Sequence, residues 1–379
     1  MAEEPLGSIR IHFSKLEDPR IDRQKLHPLM DIIVIAICAV ICGAETWVDI
    51  ENFGKARLEW FKKFLELPNG VPSHDTFGRV FGLLKAEAFE ACFFDWVQAV
   101  NQVTRGQVIA IDGKEVRHSF DTFVGKKAIH LVSAWASENR IVLAQRKVDS
   151  KTNEITVIPE LLDALEVAGC IVTLDAMGCQ KEIARKIIER KADYILTVKD
   201  NQGHLHEDIA HLFGLYLKEP NPLQYVEAYA KTVDKDHGRI EIRECWTLSA
   251  TPHQDAIRNV GDWERLTSLV CIRRERRLAD RTQVEMQYYI TSLAPNADRL
   301  LQAIRDHWGI ENSVHWVLDV AFNEDRSRVR KDHAPENLAV IRRIALNLLR
   351  KEKSAKGGLQ AKRLQCGWDE NYFFKVLSI

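Results

Sequence analysis

The sequence holds no two cysteines at C-x-x-C spacing. Its eight, at 38, 42, 92, 170, 179, 245, 271 and 366, are scattered, which excludes a zinc ribbon or a local redox motif. With no signal peptide ahead of them, they are expected as small buried residues in a reducing cytoplasm. Long apolar runs are also missing. Residues 32–44 fall short of the roughly 20 that a bilayer crossing needs. Pro28 and Asp31 instead mark them as the start of a buried helix, and no membrane partner is expected. Nor is there a surplus of one charge: 53 Lys and Arg meet 54 Asp and Glu, for a net −1, so the whole molecule has no polyanion signature. No internal repeat, low-complexity block or sustained heptad is visible, which excludes solenoids and long coiled coils.

What is present is an ordinary globular composition, 46% apolar and 28% charged over 379 residues, enough for one large domain and a smaller one. Charge is uneven, however. Residues 326–363 carry twelve Lys or Arg and three Asp or Glu, a local +9. Such a stretch suits a polyanionic partner, or is a solvated helix face balanced elsewhere.

Helical periodicity dominates residues 27–104, which predicts an N-terminal helical domain over 1–104. The turn "PNGV" separates two of its helices. These read either as a structural hairpin or as a helix-turn-helix presenting Ser73, His74, Thr76 and Arg79 to DNA. After Gly106 short apolar runs alternate with helical stretches in the order β-β-β-α-β-α-β, implying a mixed sheet covered on both faces. This α/β domain is expected over 105–350, interrupted at about 200–295 by a β-rich insertion. A basic C-terminal tail is expected over 351–379.

Two strands end alike. "VIAIDGKEV" places Asp112, and "IVTLDAMGCQ" places Asp175, at the end of an apolar run. If the strands are parallel neighbours the carboxylates meet, and they repel unless a cation lies between them. A hard ion such as Mg²⁺ takes such oxygen ligands. Gly113, Ala176 and Gly178 then leave room for a substrate backbone. Alternatively, each aspartate merely caps the next element. A third acid, Glu311 in "HWGIENSVHW", shares a helical stripe with His307 and His315, at i, i+4 and i+8, with Ile304 and Trp308 placed to pack that helix onto the sheet. Without H-E-x-x-H or a fourth ligand, a separate zinc site is disfavoured. Glu311 is expected to join the aspartates, with the histidines around it.

The blocks "VIAIDGK", "KAIHLVSAWA", "KTNEITVIPELL", "IVTLDAMGCQ", "ADYILTVKDNQ", "DHGRIEIRE" and "HWGIENSVHWVLDVAFNED" resemble the ISAs-type insertion-sequence transposases, including the H-repeat-associated group of the DDE superfamily. The resemblance runs from about Asp18 to Leu349. It implies an RNase H-like catalytic fold with an accompanying helical domain. It also implies a catalytic and metal-binding triad of Asp112, Asp175 and Glu311 holding Mg²⁺, for which Mn²⁺ can substitute. The implied reaction is two-metal-ion phosphoryl transfer that cuts the element's ends and joins the 3′-OH to target DNA. Partners so implied are double-stranded DNA, both terminal repeats and target, and a second copy of the chain in a homodimer or larger synaptic complex, in a bacterial cytoplasm at the nucleoid.

The sequence departs from that group in two places. Glu115 stands where Thr is usual after "DGK", either harmless on the far face or disturbing the metal site. Aligned on Glu311, a Tyr-Arg-Glu-Lys signature of related transposases is replaced by Ile304, His307 and Leu318. Candidate DNA contacts are Lys114, Lys199, Asn201, Gln202, Arg239, Arg243, His307, Asn312 and His315, with His237, "RRERR" (273–277) and the basic tail as further phosphate contacts. Rival readings are a DNA-binding remnant that no longer cuts, and an RNase H-like nuclease without strand transfer.

Overall fold

The computed structural model describes residues 5–101, 104–120, 125, 127–148, 153–236 and 238–379. The N-terminal part is helical, as its periodicity requires: α1 (Gly7–Phe13), α2 (Leu29–Ile41), α3 (Trp47–Ala56), α4 (Leu58–Phe61), α5 (His74–Leu83) and α6 (Ala86–Val100). Residues 32–41 of α2 are all buried, which explains an apolar run too short for a membrane; no helix among the described residues is long and apolar enough to cross one. Thr46 and Asp49 form a capping box on α3, and the Ser73 hydroxyl accepts the Thr76 N–H to start α5. A helix-turn-helix is not formed. Residues 62–73 and a four-residue α4 precede α5, whereas that motif joins two full helices through a turn of about 3–4 residues.

The strands are β1 (Val108–Val116), β2 (Ile129–Ala136), β3 (Ile141–Val148), β4 (Ile171–Leu174) and β5 (Asp193–Val198). Between them lie α7 (Glu154–Ala164) and α8 (Lys181–Glu189). The expected β-β-β-α-β-α-β order is present, and the strands pair as β3-β2-β1-β4-β5, with β1–β4 and β4–β5 parallel and the rest antiparallel. This is the RNase H-like arrangement. After α9 (Gly203–Tyr216) the insertion supplies β6 (Ala228–Asp236), β7 (Arg239–Ser249), β8 (Ser268–Arg277) and β9 (Thr282–Thr291). It builds no second sheet: β9 pairs antiparallel with β5, from Ile195↔Thr291 to Val198↔Tyr288, and extends the central sheet to nine strands.

Helices α10 (Ala297–Ile310), α11 (Trp316–Ala321) and α12 (Ala334–Lys351) follow. Residues 334–349 of α12 are all buried, and this helix packs against α2, α5, α6 and β3. Its polar side chains close ends left open elsewhere. Asn337 Nδ2 donates to the Phe81 and Leu84 carbonyls at the end of α5. Asn347 takes the Val142 N–H on Oδ1 and donates Nδ2 to the Val142 carbonyl, both at 2.9 Å. That clamp occupies the free rim of edge strand β3.

The stretch expected as a basic tail folds into α13 (Leu359–Trp368) and α14 (Glu370–Leu377). Of the run's cations, Arg342, Arg343, Lys362 and Arg363 are buried. Lys362 caps α12 through the Leu349 carbonyl at 3.0 Å, and Arg363 donates to Val40 O at 2.7 Å while lying 4.2 Å from the Phe322 ring. These four serve the core and are not available for phosphate.

Asn347→Ala should leave both Val142 groups without partners and cost about 1–3 kcal/mol, read as a lower urea midpoint; an unchanged midpoint would mean that water replaces the clamp.

Candidate active site

The parallel pairing of β1 with β4 runs to Ile111↔Leu174. Asp112 and Asp175 follow these two residues, the strands lying about 4.8 Å apart. Alternation along β1 puts Asp112 on the face of Ala110, where α10 lies, and Asp175, directly after β4, is close enough for its charge to act on Asp112. Burial pushes the Asp112 carboxyl up to about 6; the nearby His315 opposes this, and the like charge of Asp175 adds to it. Asp175 is likewise raised by burial, against an N–H bond from Gly178 at 3.2 Å.

On α10, His307 Nδ1 lies 2.9 Å from Thr173 Oγ1 of β4. Burial pushes that imidazole down to about 4, so at neutral pH it is an uncharged tie between helix and sheet. It is not a stand-in for a phosphate-binding arginine. Gly309 follows because a Cβ there would lie 2.5 Å from the Trp135 ring. The helix then widens into a π turn, Glu311–His315, before α11, a distortion common at functional positions. Arg350 of α12 donates to the Ser313 carbonyl inside this turn.

His315 is buried, with Nδ1 3.0 Å from Glu311 Oε2 and 3.5 Å from Asp112 Oδ2. A hydrogen on Nδ1 meets both acids; one on Nε2 would be buried without an acceptor. The ring therefore presents Nδ1–H to the carboxylates, and its bond holds Glu311 below the usual carboxylate range. Among the described residues, Asp112, Glu311 and His315 bring one ligand atom each to within 4.8 Å of one another. Asp175 stands beside this group rather than in it. The apolar helix partner expected in Trp308 is instead 44% exposed under Arg274, while Ile304 and Leu318 are core residues.

Several expected DNA contacts are engaged within the protein. Lys114 is buried, with Nζ 2.5 Å from Asp319 and 3.1 Å from Asp325. Asn201 donates to Ala176 O and Gln202 to Cys179 O, bracing the loop after Asp175. Arg243 pairs with Asp234 at 2.7 Å and with Glu241, and Arg239 pairs with Glu241 at 3.1 Å. In "RRERR", Arg273 pairs with Glu244 and Glu275. Asn312 donates to Trp308 O yet stays exposed, and Lys199 is exposed beside Asp175. His237 lies outside the described residues.

The two glycines near the acids do not open space for substrate. A Cβ on Gly113 would lie 2.1 Å from Glu154 Oε1 and 2.6 Å from His130 Nε2, and one on Gly178 would lie 2.9 Å from Leu174. Glu154 and His130, 2.6 Å apart, occupy the opposite face, where Glu115 pairs with His130 across the strands. Glu115 is exposed there, away from Asp112. The interactions of "DVAFNED" were missed in the sequence. Asp319 and Asp325 hold Lys114, and buried Glu324 meets Arg343 Nη1 at 2.9 Å. Their partners lie far along the chain, and only the density of acids in that motif hinted at cations nearby.

Residues 104–348 match the family described as Transposase DDE domain, and residues 10–97 match the one described as DDE_Tnp_1-associated. The chain is 42% identical to "Putative transposase YncI" of Escherichia coli O157:H7, over 98% of this chain and 95% of the relative. It is 40% identical to "H repeat-associated putative transposase YhhI" of Escherichia coli K12, over 98% of each. Among solved structures, the piggyBac transposase synaptic complex with hairpin DNA aligns at a TM-score of 0.48 and 10% identity, covering 99% of this chain and 80% of that one.

The raised Asp112 carboxyl holds its proton more tightly in the folded than in the unfolded chain. Without metal, stability at this site is therefore greatest below the unfolded value and is lost as pH rises toward about 6. In EDTA at pH 7, Asp112→Asn should raise unfolding stability by about 2 kcal/mol. A lower urea midpoint for the variant would contradict this.

Proposed function

Because the chain belongs to the transposase DDE-domain family, we propose that it cuts the ends of an insertion sequence and joins the freed 3′-OH to target DNA, with Asp112, Asp175 and Glu311 as the catalytic acids. The convergence of Asp112 with Glu311 and His315 across the sheet supports this reading most directly. Asp175, directly after the neighbouring strand, would complete the acidic set.

The donors suit a hard divalent cation. Three carboxylates offer oxygen ligands, and the burial that disfavours charge on Asp112 and Asp175 is what a bound cation offsets. Asp112, Asp175 and Glu311 would hold the metal, and Mg²⁺ is the expected ion. Bound there, the ions supply activation of the attacking oxygen and neutralisation of charge on the leaving one. In the first step a water oxygen forms a bond to phosphorus and the bond to the element's 3′ oxygen breaks, leaving a 3′-OH. In the second, that hydroxyl attacks a target phosphodiester and displaces its 3′ oxygen.

The chain's own residues keep this set in place. His315 orients Glu311 and Asp112 through Nδ1–H, and the His307–Thr173 bond fixes α10 on β4. Asp319 and Asp325 hold the Lys114 ammonium, whose charge also favours the ionised form of Glu311. Glu311, Asn312 and Lys199 are the exposed groups at the mouth, where DNA phosphates would lie.

With supercoiled plasmid, the protein should nick in Mg²⁺ or Mn²⁺ and not in EDTA. Asp112→Asn, Asp175→Asn and Glu311→Gln should each lower nicking by about 10³-fold or more while DNA binding persists. Nicking that survives Asp175→Asn would reject the triad. Nicking without joining of a pre-cut 3′-OH end to the plasmid would reduce the activity to that of a nuclease.

A further inference from the structure

Behind the acids lies a second surface. One wall is α5, with His74, Asp75 and Arg79; the other is the irregular segment 326–333. Together they enclose a cleft of about 1520 Å³, larger than the roughly 300–1,000 Å³ of small-molecule pockets. Its lining carries Arg79, Lys147, Arg326, Arg328, Arg330 and Lys331 against Glu45, Asp75 and Asp332.

These charges differ from those of the insertion. Arg239, Arg243, Arg274 and Arg276 all lie within ion-pair reach of Glu241, so a phosphate there would have to displace an existing partner. In the cleft, Lys147 is paired with Glu336 at 2.5 Å. Arg79, Arg326, Arg328 and Lys331 are exposed, and among the described residues they have no ion-pair partner. Four cations without ion-pair partners line one cleft, where cations outnumber the acids, and the arrangement favours a partner that brings several negative charges at once.

The segment is held at both ends. Asn323 and Asp332 adopt left-handed backbone conformations, with φ of 49° and 47°, which Asn and Asp tolerate better than most residues. Asn323 Nδ2 donates to Glu45 at one end, and His333 N–H donates to Gly82 O at the other, at 3.2 Å. Asp325 ties the segment to Lys114, two residues beyond Asp112 on β1, and Arg330 Nε donates to His118 O at 3.1 Å. A rigid basic wall is thus joined to the strand that bears the first catalytic acid.

We propose that this cleft is a seat for the backbone of double-stranded DNA, read jointly by α5 and residues 326–331 and separate from the insertion's arginines. The choice of DNA over another polyanion rests on the transposase reading. The position of the cleft, linked to β1 yet apart from the acids, fits a flanking duplex outside the point of cutting.

The test is fluorescence anisotropy of the full chain with a labelled duplex of random sequence in EDTA, so that cutting does not enter. Combined Arg79→Ala, Arg326→Ala, Arg328→Ala and Lys331→Ala should weaken binding more than tenfold at low salt. It should also flatten the log–log salt slope by about 0.9 for each phosphate no longer neutralised. Arg79→Lys with Arg326→Lys and Arg328→Lys should retain the slope, and Arg274→Ala with Arg276→Ala should change it little. An unchanged slope in the alanine variant overturns the proposal, as does weakening confined to the insertion variant, or weakening in the lysine variant whose thermal melt matches the parent. Equal binding of a single-stranded RNA of the same length overturns the assignment to duplex DNA. A parent chain that binds through the cleft but never nicks would refute the catalytic reading and leave the cleft standing.

Discussion

Parallel registry between β1 and β4 is the constraint from which the site follows. It ends at Ile111↔Leu174, and the residue that follows each of these in the chain is an aspartate. Two carboxylates side by side under a helix are unfavourable, because burial and like charge act in the same direction on Asp112. A lysine relieves it only at the rim, where exposed Lys199 lies beside Asp175. Lys114, the nearest cation on the same strand and face, is held by Asp319 and Asp325, and a histidine that also serves Glu311 is placed there instead. The negative charge that remains is what makes the centre suited to metal ions.

Precision at that centre comes from α12, which reaches it through the residues around the acids. Its Arg343 neutralises buried Glu324, the residue before Asp325, and so fixes the segment that restrains Lys114. Arg350 reaches the π turn that carries Glu311, while Asn347 and Asn337 close β3 and α5. Buried ion pairs are costly to form and contribute little net stability. Here the pairs determine where neighbouring groups can sit. The same helix joins the N-terminal helices to the sheet, so the basic cleft and the acidic centre share one support.

Much of the fold was legible because strands and helices leave different periods. The apolar runs before Asp112 and Asp175 and the buried run of α2 appeared as expected, whereas the helical stripe through His307, Glu311 and His315 is interrupted by the π turn. Partner identity was not legible. Lys114, Asn201, Gln202 and Arg243 are polar residues near the acids or in the insertion, and each has the character of a hand for DNA until its internal acceptor is known. Lys114's acceptors lie more than 200 residues away, a distance that local pattern cannot bridge. The basic run 326–363 divided for a similar reason: its first part lies on an exposed loop, and its later part on buried helices whose arginines meet Glu324 and backbone carbonyls. The π turn has no sequence period of its own. Glu311 was singled out by its helical stripe and again by the resemblance, and its link to Asp112 through His315 emerged only in three dimensions.

Metal binding itself is the most direct test of the account. Mn²⁺ titration followed by electron paramagnetic resonance, on the DNA-free chain and then with duplex added, counts ions at the centre. The account predicts saturable binding that is abolished in Asp112→Asn and strongly weakened in Glu311→Gln, with the fold intact. Binding that is unchanged when both acids are replaced would place the ions elsewhere and contradict it.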